Sequence, residues 1–121
     1  MFKEIKVLIV NKQQSAIDSI ETLLQSQADM HVVEEALNPV EILLAVTRIR
    51  ADVVIILLDT KEEPGIVSLL LTEYPNLLII ALSPLCNIAY IYRQKISREE
   101  RLDISDDEIL RVIRTTKEDR G

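Results

Sequence analysis

The chain contains no tryptophan, one phenylalanine, three tyrosines, one histidine, one cysteine and two glycines in 121 residues. Each scarcity closes a route. A lone Cys86 excludes an internal disulfide and fits a reducing compartment, and without a histidine near it in sequence it makes a poor nucleophile. A lone His31 leaves no histidine cluster for a metal and no histidine pair for catalysis, so it reads as an ordinary strand-start residue. With only Gly65 and Gly121, there is no glycine-rich loop to cradle a phosphate, which disfavours nucleotide binding of the P-loop or dinucleotide kind. Few aromatics leave little to stack bases on, and a net charge of −6 opposes holding DNA by its phosphates, so no nucleic acid is expected on this segment. The apolar runs 7–10, 53–58 and 77–82 fall far short of the roughly 20 residues that span a bilayer. Lys3, Glu4 and Lys6 interrupt the first run, unlike a signal peptide. These features predict a soluble, cytoplasmic protein with no membrane contact.

What is present is aliphatic: hydrophobic residues make up 48% of the chain, mostly Leu, Ile and Val. A chain this long suits a single domain over 1–121 and buries roughly two thirds of its unfolded surface, so it needs no staple. The charged tail at 117–121 reads as a frayed end or the start of a linker.

The three apolar runs are continuous and rich in Val and Ile, as in strands covered on both faces in a parallel sheet. His31-Val32-Val33-Glu34 reads as a further strand nearer the edge. Helical patterns fall between them. Ser15 is placed to cap a helix with Ile17, Ile20, Leu23 and Leu24 on one face. Asn38-Pro39 opens a second, with a stripe of Val40, Leu43, Leu44 and Thr47. Pro64-Gly65 opens a short third, with Ile66, Leu69 and Leu70, stopped at Tyr74-Pro75. Ser105-Asp106-Asp107-Glu108 reads as a capping box ahead of Ile109, Leu110, Val112 and Ile113. Capping and dipole complementarity also explain those acidic residues better than a metal does. Such alternation predicts a doubly wound α/β fold with right-handed crossovers.

The stretch 84–104 is open to two readings. Helical spacing runs through Ile88, Ile91, Tyr92 and Ile96, and strand alternation runs through Ala89-Tyr90-Ile91-Tyr92-Arg93. Its β-favouring residues tip the expectation towards an extended hairpin, with Ser97-Arg98-Glu99-Glu100 as the turn. On a hairpin, Tyr90 and Tyr92 would offer a dimer or partner surface, and on a helix one of them would be core.

Lys6-Val7-Leu8-Ile9-Val10, Asp29 to Ala36, Ala51 to Asp59 and Tyr74 to Ser83 together resemble the response-regulator receiver (CheY-like) domains of two-component signal transduction. The segment Asp29 to Ala36 is placed as in receivers of transcription regulators with helix-turn-helix outputs, the LuxR/NarL type. The match covers most of 4–83 and 104–116 and rests on pattern more than on invariant residues. It implies a flavodoxin-like three-layer fold around a mostly parallel five-stranded sheet. It also implies a site of five side chains at the strand ends, where open α/β sheets bind their ligands. In the family, two acidic residues after the first strand help hold Mg²⁺, an Asp ending the third accepts the phosphoryl group, a Ser or Thr ends the fourth and a Lys the fifth.

Here the acidic-pair positions are Asn11 and Lys12. A gapless alignment puts Leu57 at the acceptor position, and Asp59 reaches it only if the third strand is two residues longer. Ser83 fits the switch hydroxyl, and Arg101 is the nearest basic group to the missing Lys. Asn11, Lys12 and Asp59 sum to zero charge, where the family's site carries three carboxylates. An ammonium about 4 Å from a divalent ion is repelled by roughly 8 kcal/mol at intermediate dielectric. Because phosphoryl transfer depends on metal and positioning, the site reads as dismantled, with no Mg²⁺ or other cofactor expected. Lys12 either pairs with Asp59, holding one state, or points into solvent.

The resulting expectation is a non-enzymatic pseudo-receiver that binds a signalling protein or its own output domain, or forms a homodimer. Its rivals are a genuine phospho-receiver using Asp59 and a small α/β ligand-binding or enzymatic domain.

Overall fold

A computed structural model describes residues 4–10, 20, 22–35, 39–57, 65–83, 88–93 and 97–118. In chain order the elements are β1 (Ile5–Val10), β2 (Met30–Glu35), α1 (Pro39–Ile49), β3 (Val53–Leu57), α2 (Gly65–Glu73), β4 (Leu78–Ser83), β5 (Ile88–Arg93), β6 (Ser97–Leu102) and α3 (Asp106–Glu118). Residues 20 and 22–25 are also helical and precede β2.

One six-stranded sheet runs β2-β1-β3-β4-β5-β6. The first four strands pair in parallel, and β5 and β6 pair antiparallel. The sheet is therefore mixed and has six strands, against the five expected. The difference arises at 88–102, which forms the hairpin favoured by the sequence, but with Ser97 to Glu100 paired in β6 and not in the turn expected of them. Antiparallel neighbours need only a tight connection, whereas a parallel fifth strand requires a crossover of a dozen residues or more.

The apolar runs are buried because both faces of the sheet are covered. Ile5, Val7, Ile9, Val53, Ile55, Ile80 and Ile91 pack on one side with Leu24 and with Ile109, Leu110, Val112 and Ile113 of α3. Leu8, Val10, Val54, Ile79, Tyr90 and Tyr92 pack on the other with α1 and α2. The period-two alternation of each strand divides its residues between two cores.

The predicted starts and stops hold at Pro39, Gly65 and Tyr74. The capping box forms as read. Glu108 N–H donates to Ser105 Oγ at 3.2 Å, and Ser105 N–H and Oγ–H donate to Glu108 Oε1 at 3.4 and 3.2 Å. Ser15 and Ile17 lie outside the described residues.

Two helix faces are rotated from expectation. On α1 the buried side chains are Ile42, Ala45 and Val46, while Val40 and Leu44 are 64% and 66% exposed. On α2 Val67 and Leu71 join Ile66 and Leu70 in the core, and Leu69 is exposed. Both helices are apolar round most of their circumference, so periodicity alone left the phase undetermined. Tyr74, just after α2, helps set it by donating its hydroxyl to Leu43 C=O at 3.0 Å and contacting the Thr47 hydroxyl.

A guanidinium fork ties α3 to the segment entering β2. Arg114 Nε and Nη2 donate to Asp29 Oδ2 and Oδ1 at 2.9 and 3.1 Å, and Nη2 also donates to Gln27 Oε1 at 2.8 Å. The hydrogen bonds from Arg114 hold the Asp29 carboxyl below its ordinary value of 3.8, outweighing the opposing effect of burial. A carboxyl depressed on folding stabilises above its unfolded pKa and loses that contribution as pH falls through the folded one. Arg114→Ala is therefore expected to lower stability at neutral pH by about 0.5–1 kcal/mol, the range for a partly exposed ion pair. The two denaturation curves are expected to converge as pH drops below the ordinary aspartate value. An undiminished gap in strong acid would show that the loss comes from packing alone.

Candidate functional site

In a sheet ordered this way the carboxyl ends of the parallel strands form one edge, and β1 next to β3 is the point where the chain direction of winding reverses. That edge is bounded by Val10, Leu57 and Ser83, with Ile88 beginning β5 and Leu102 ending β6 beside them. The residues expected to carry chemistry there, Asn11, Lys12 and Asp59, lie outside the described residues, as does Cys86.

Leu57, the gapless acceptor position, is 6% exposed and belongs to the core cluster facing α3. It sits opposite Leu82 across the β3–β4 ladder. A hydrocarbon side chain offers no oxygen to a phosphoryl group, so this position cannot accept one. Ser83 is the last residue of β4 and is in register with Ile88, which puts its backbone at the expected strand end.

Arg101 follows the same edge on β6, but its charge is already engaged. It contacts the Glu99 carboxylate and donates through Nη1 to Glu108 Oε2 at 3.2 Å. The hydrogen bond to Glu99, with a smaller one to Glu108, raises its pKa above the ordinary arginine value, and the arrangement fixes β6 to the first turn of α3. Tyr90 and Tyr92 are 8% and 3% exposed, with their side chains in the cluster under α1 and α2. In the structure these rings are core, so the partner surface expected of them is not displayed by their side chains.

Sequence reasoning passed over Asp52, the buried charged residue among those described. Its Oδ2 accepts the Lys6 N–H at 3.0 Å, its own N–H donates to Lys6 C=O at 2.8 Å, and its C=O accepts the Leu78 N–H at 3.3 Å. It thus joins β1, β3 and β4 at their amino ends, the edge opposite the expected site. The signal available in the sequence was an acidic residue directly before a fully apolar strand.

Among the described residues no three of His, Cys, Asp and Glu come together to hold a metal ion. No helix among them is long and apolar enough to cross a membrane. No family model matches the chain, and neither a curated protein nor a solved structure matches it.

Proposed function

We propose that this chain is a receiver-like regulatory domain that acts by binding a protein partner, without phosphorylation. The observation that carries the reading is Leu57: under the gapless alignment, a buried leucine stands at the strand end where a receiver would present its acceptor aspartate. The strand order β2-β1-β3-β4 with helices on both faces agrees with the flavodoxin-like order over its first four strands. The hairpin β5–β6 then supports a rebuilt signalling face, since a receiver would have a crossover helix there. The partner is a signalling protein, an output domain or a second copy of this chain.

The test combines Mg²⁺ with acetyl phosphate or beryllium fluoride and reads amide NMR spectra and intact mass. The expected outcome is an unchanged mass and no shift at residues 11, 12, 57, 59 or 83. A phosphoryl adduct on Asp59 would overturn the proposal in favour of a working phospho-receiver. Light scattering across a concentration series then distinguishes a self-associating chain from one that awaits a different protein.

A further inference from the structure

At the amino edge of the sheet, opposite the strand ends just described, lies a cleft of about 360 Å³ lined by Glu4, Lys6, His31, Arg48, Ile49 and Arg50. Three cations and an imidazole meet a single carboxylate there, in a chain whose net charge is −6. The cations come from separate elements. Lys6 and His31 are cross-strand partners on β1 and β2, and alternation directs both to the α1 side of the sheet. Arg48 and Arg50 arrive from the end of α1. Favourable interaction with a helix C-terminus accounts for basic residues on α1 itself, but not for Lys6 and His31.

Arg50 supplies an independent observation. Its φ is +55°, the left-handed conformation that favours glycine. Arg50 N–H donates to Thr47 C=O at 3.3 Å and Ala51 N–H to Val46 C=O at 3.1 Å. That is a Schellman cap with arginine at the position where glycine is preferred. Among the described residues the Arg50 guanidinium and the Lys6 ammonium make no hydrogen bond or ion pair. A left-handed backbone thus holds the Arg50 cation in the lining of a basic cleft, with arginine where glycine would serve the cap.

We propose that this cleft binds a small phosphate-bearing anion, with Lys6 and Arg50 as its charge contacts and His31 as a hydrogen-bonding wall. The volume suits a phosphate with a small organic body, and a lining whose one apolar member is Ile49 favours a polar one. The site lies at the other end of the sheet from the receiver-like strand ends and stands whether or not that reading does.

Titration of the full chain with inorganic phosphate and pyrophosphate, followed by amide NMR, tests it. Saturable shifts are expected at residues 4–6, 31 and 48–50, with pyrophosphate the tighter ligand. Lys6→Met and Arg50→Gly are each expected to weaken binding about fivefold to tenfold, the effect of losing one charge-assisted contact. Arg50→Gly is also expected to keep or raise Tm by roughly 2–5 °C, because glycine relieves the left-handed backbone. Shifts that never saturate, that fall elsewhere, or that survive both substitutions would overturn the proposal. So would an Arg50→Gly variant that melts lower and binds phosphate as before, since arginine would then be a structural cap.

Discussion

Replacing Leu57 with aspartate is expected to lower stability by roughly 3–6 kcal/mol, even though the change restores the residue that a receiver carries at this alignment position. Two effects add. Removing the leucine forfeits about 2–3 kcal/mol of apolar burial, because the side chain is 6% exposed and packed beside Leu82 in the cluster under α3. Leaving a carboxylate in that place adds the desolvation of an unpaired charge, about 1–3 kcal/mol after local relaxation. The pH dependence separates the two. Burial raises the pKa of an introduced carboxyl, so the charge penalty is fully present above the folded pKa and fades on acidification as the acid becomes neutral. Leu57→Asn supplies the uncharged comparison, with a loss that does not depend on pH. Urea denaturation at neutral and mildly acid pH measures both. An aspartate variant as stable as the parent would mean that position 57 is open to solvent and ions, and with it the pseudo-receiver reading would lose its main support.

Asp52→Ala is expected to cost about 2–3 kcal/mol, a large effect for a residue with no apolar surface to bury. The Oδ2 hydrogen bond is charge-assisted, and its loss leaves the Lys6 N–H at the sheet's end without its acceptor. The backbone bonds between Asp52 and both Lys6 and Leu78 depend on the same local geometry, so the amino ends of β1, β3 and β4 loosen together. Asp52→Asn retains a side-chain oxygen and is expected to recover about half of the loss. Hydrogen exchange offers a local readout, with Lys6 and Leu78 amides losing protection in the alanine variant before those of β5. Equal melting temperatures for the parent and the alanine variant would show that water replaces the carboxylate at no cost.

Much of the strand content was legible because hydrophobic continuity is a strong signal. Runs such as Val53 to Leu57 are buried on both faces, and only a covered sheet makes that burial available. The starts of α1, α2 and α3 were legible through proline, glycine and the Ser105–Glu108 box, since these act locally on the backbone. The phase of α1 was not. With Val40, Ile42, Leu43, Leu44, Ala45 and Val46 in succession, several faces are equally apolar, and contacts with β1, β3 and Tyr74 selected one. At the candidate site, the identities of Asn11, Lys12, Leu57, Asp59 and Ser83 were read directly. The structure adds the burial of Leu57 and the strand-end position of Ser83.

By itself, then, the sequence determined an α/β chain of alternating covered strands and capped helices, because burial periodicity and capping are encoded within a few neighbouring residues. Tertiary structure alone decided that the sheet would be mixed and six-stranded, since residues 88–102 carry both helical and strand spacing and only pairing with β4 resolves them. It also decided that Tyr90 and Tyr92 would be core, that Asp52 would join three strands, and that Lys6, His31 and Arg50 would meet at one cleft. Those outcomes depend on residues far apart in the chain, and no local pattern records who their neighbours will be.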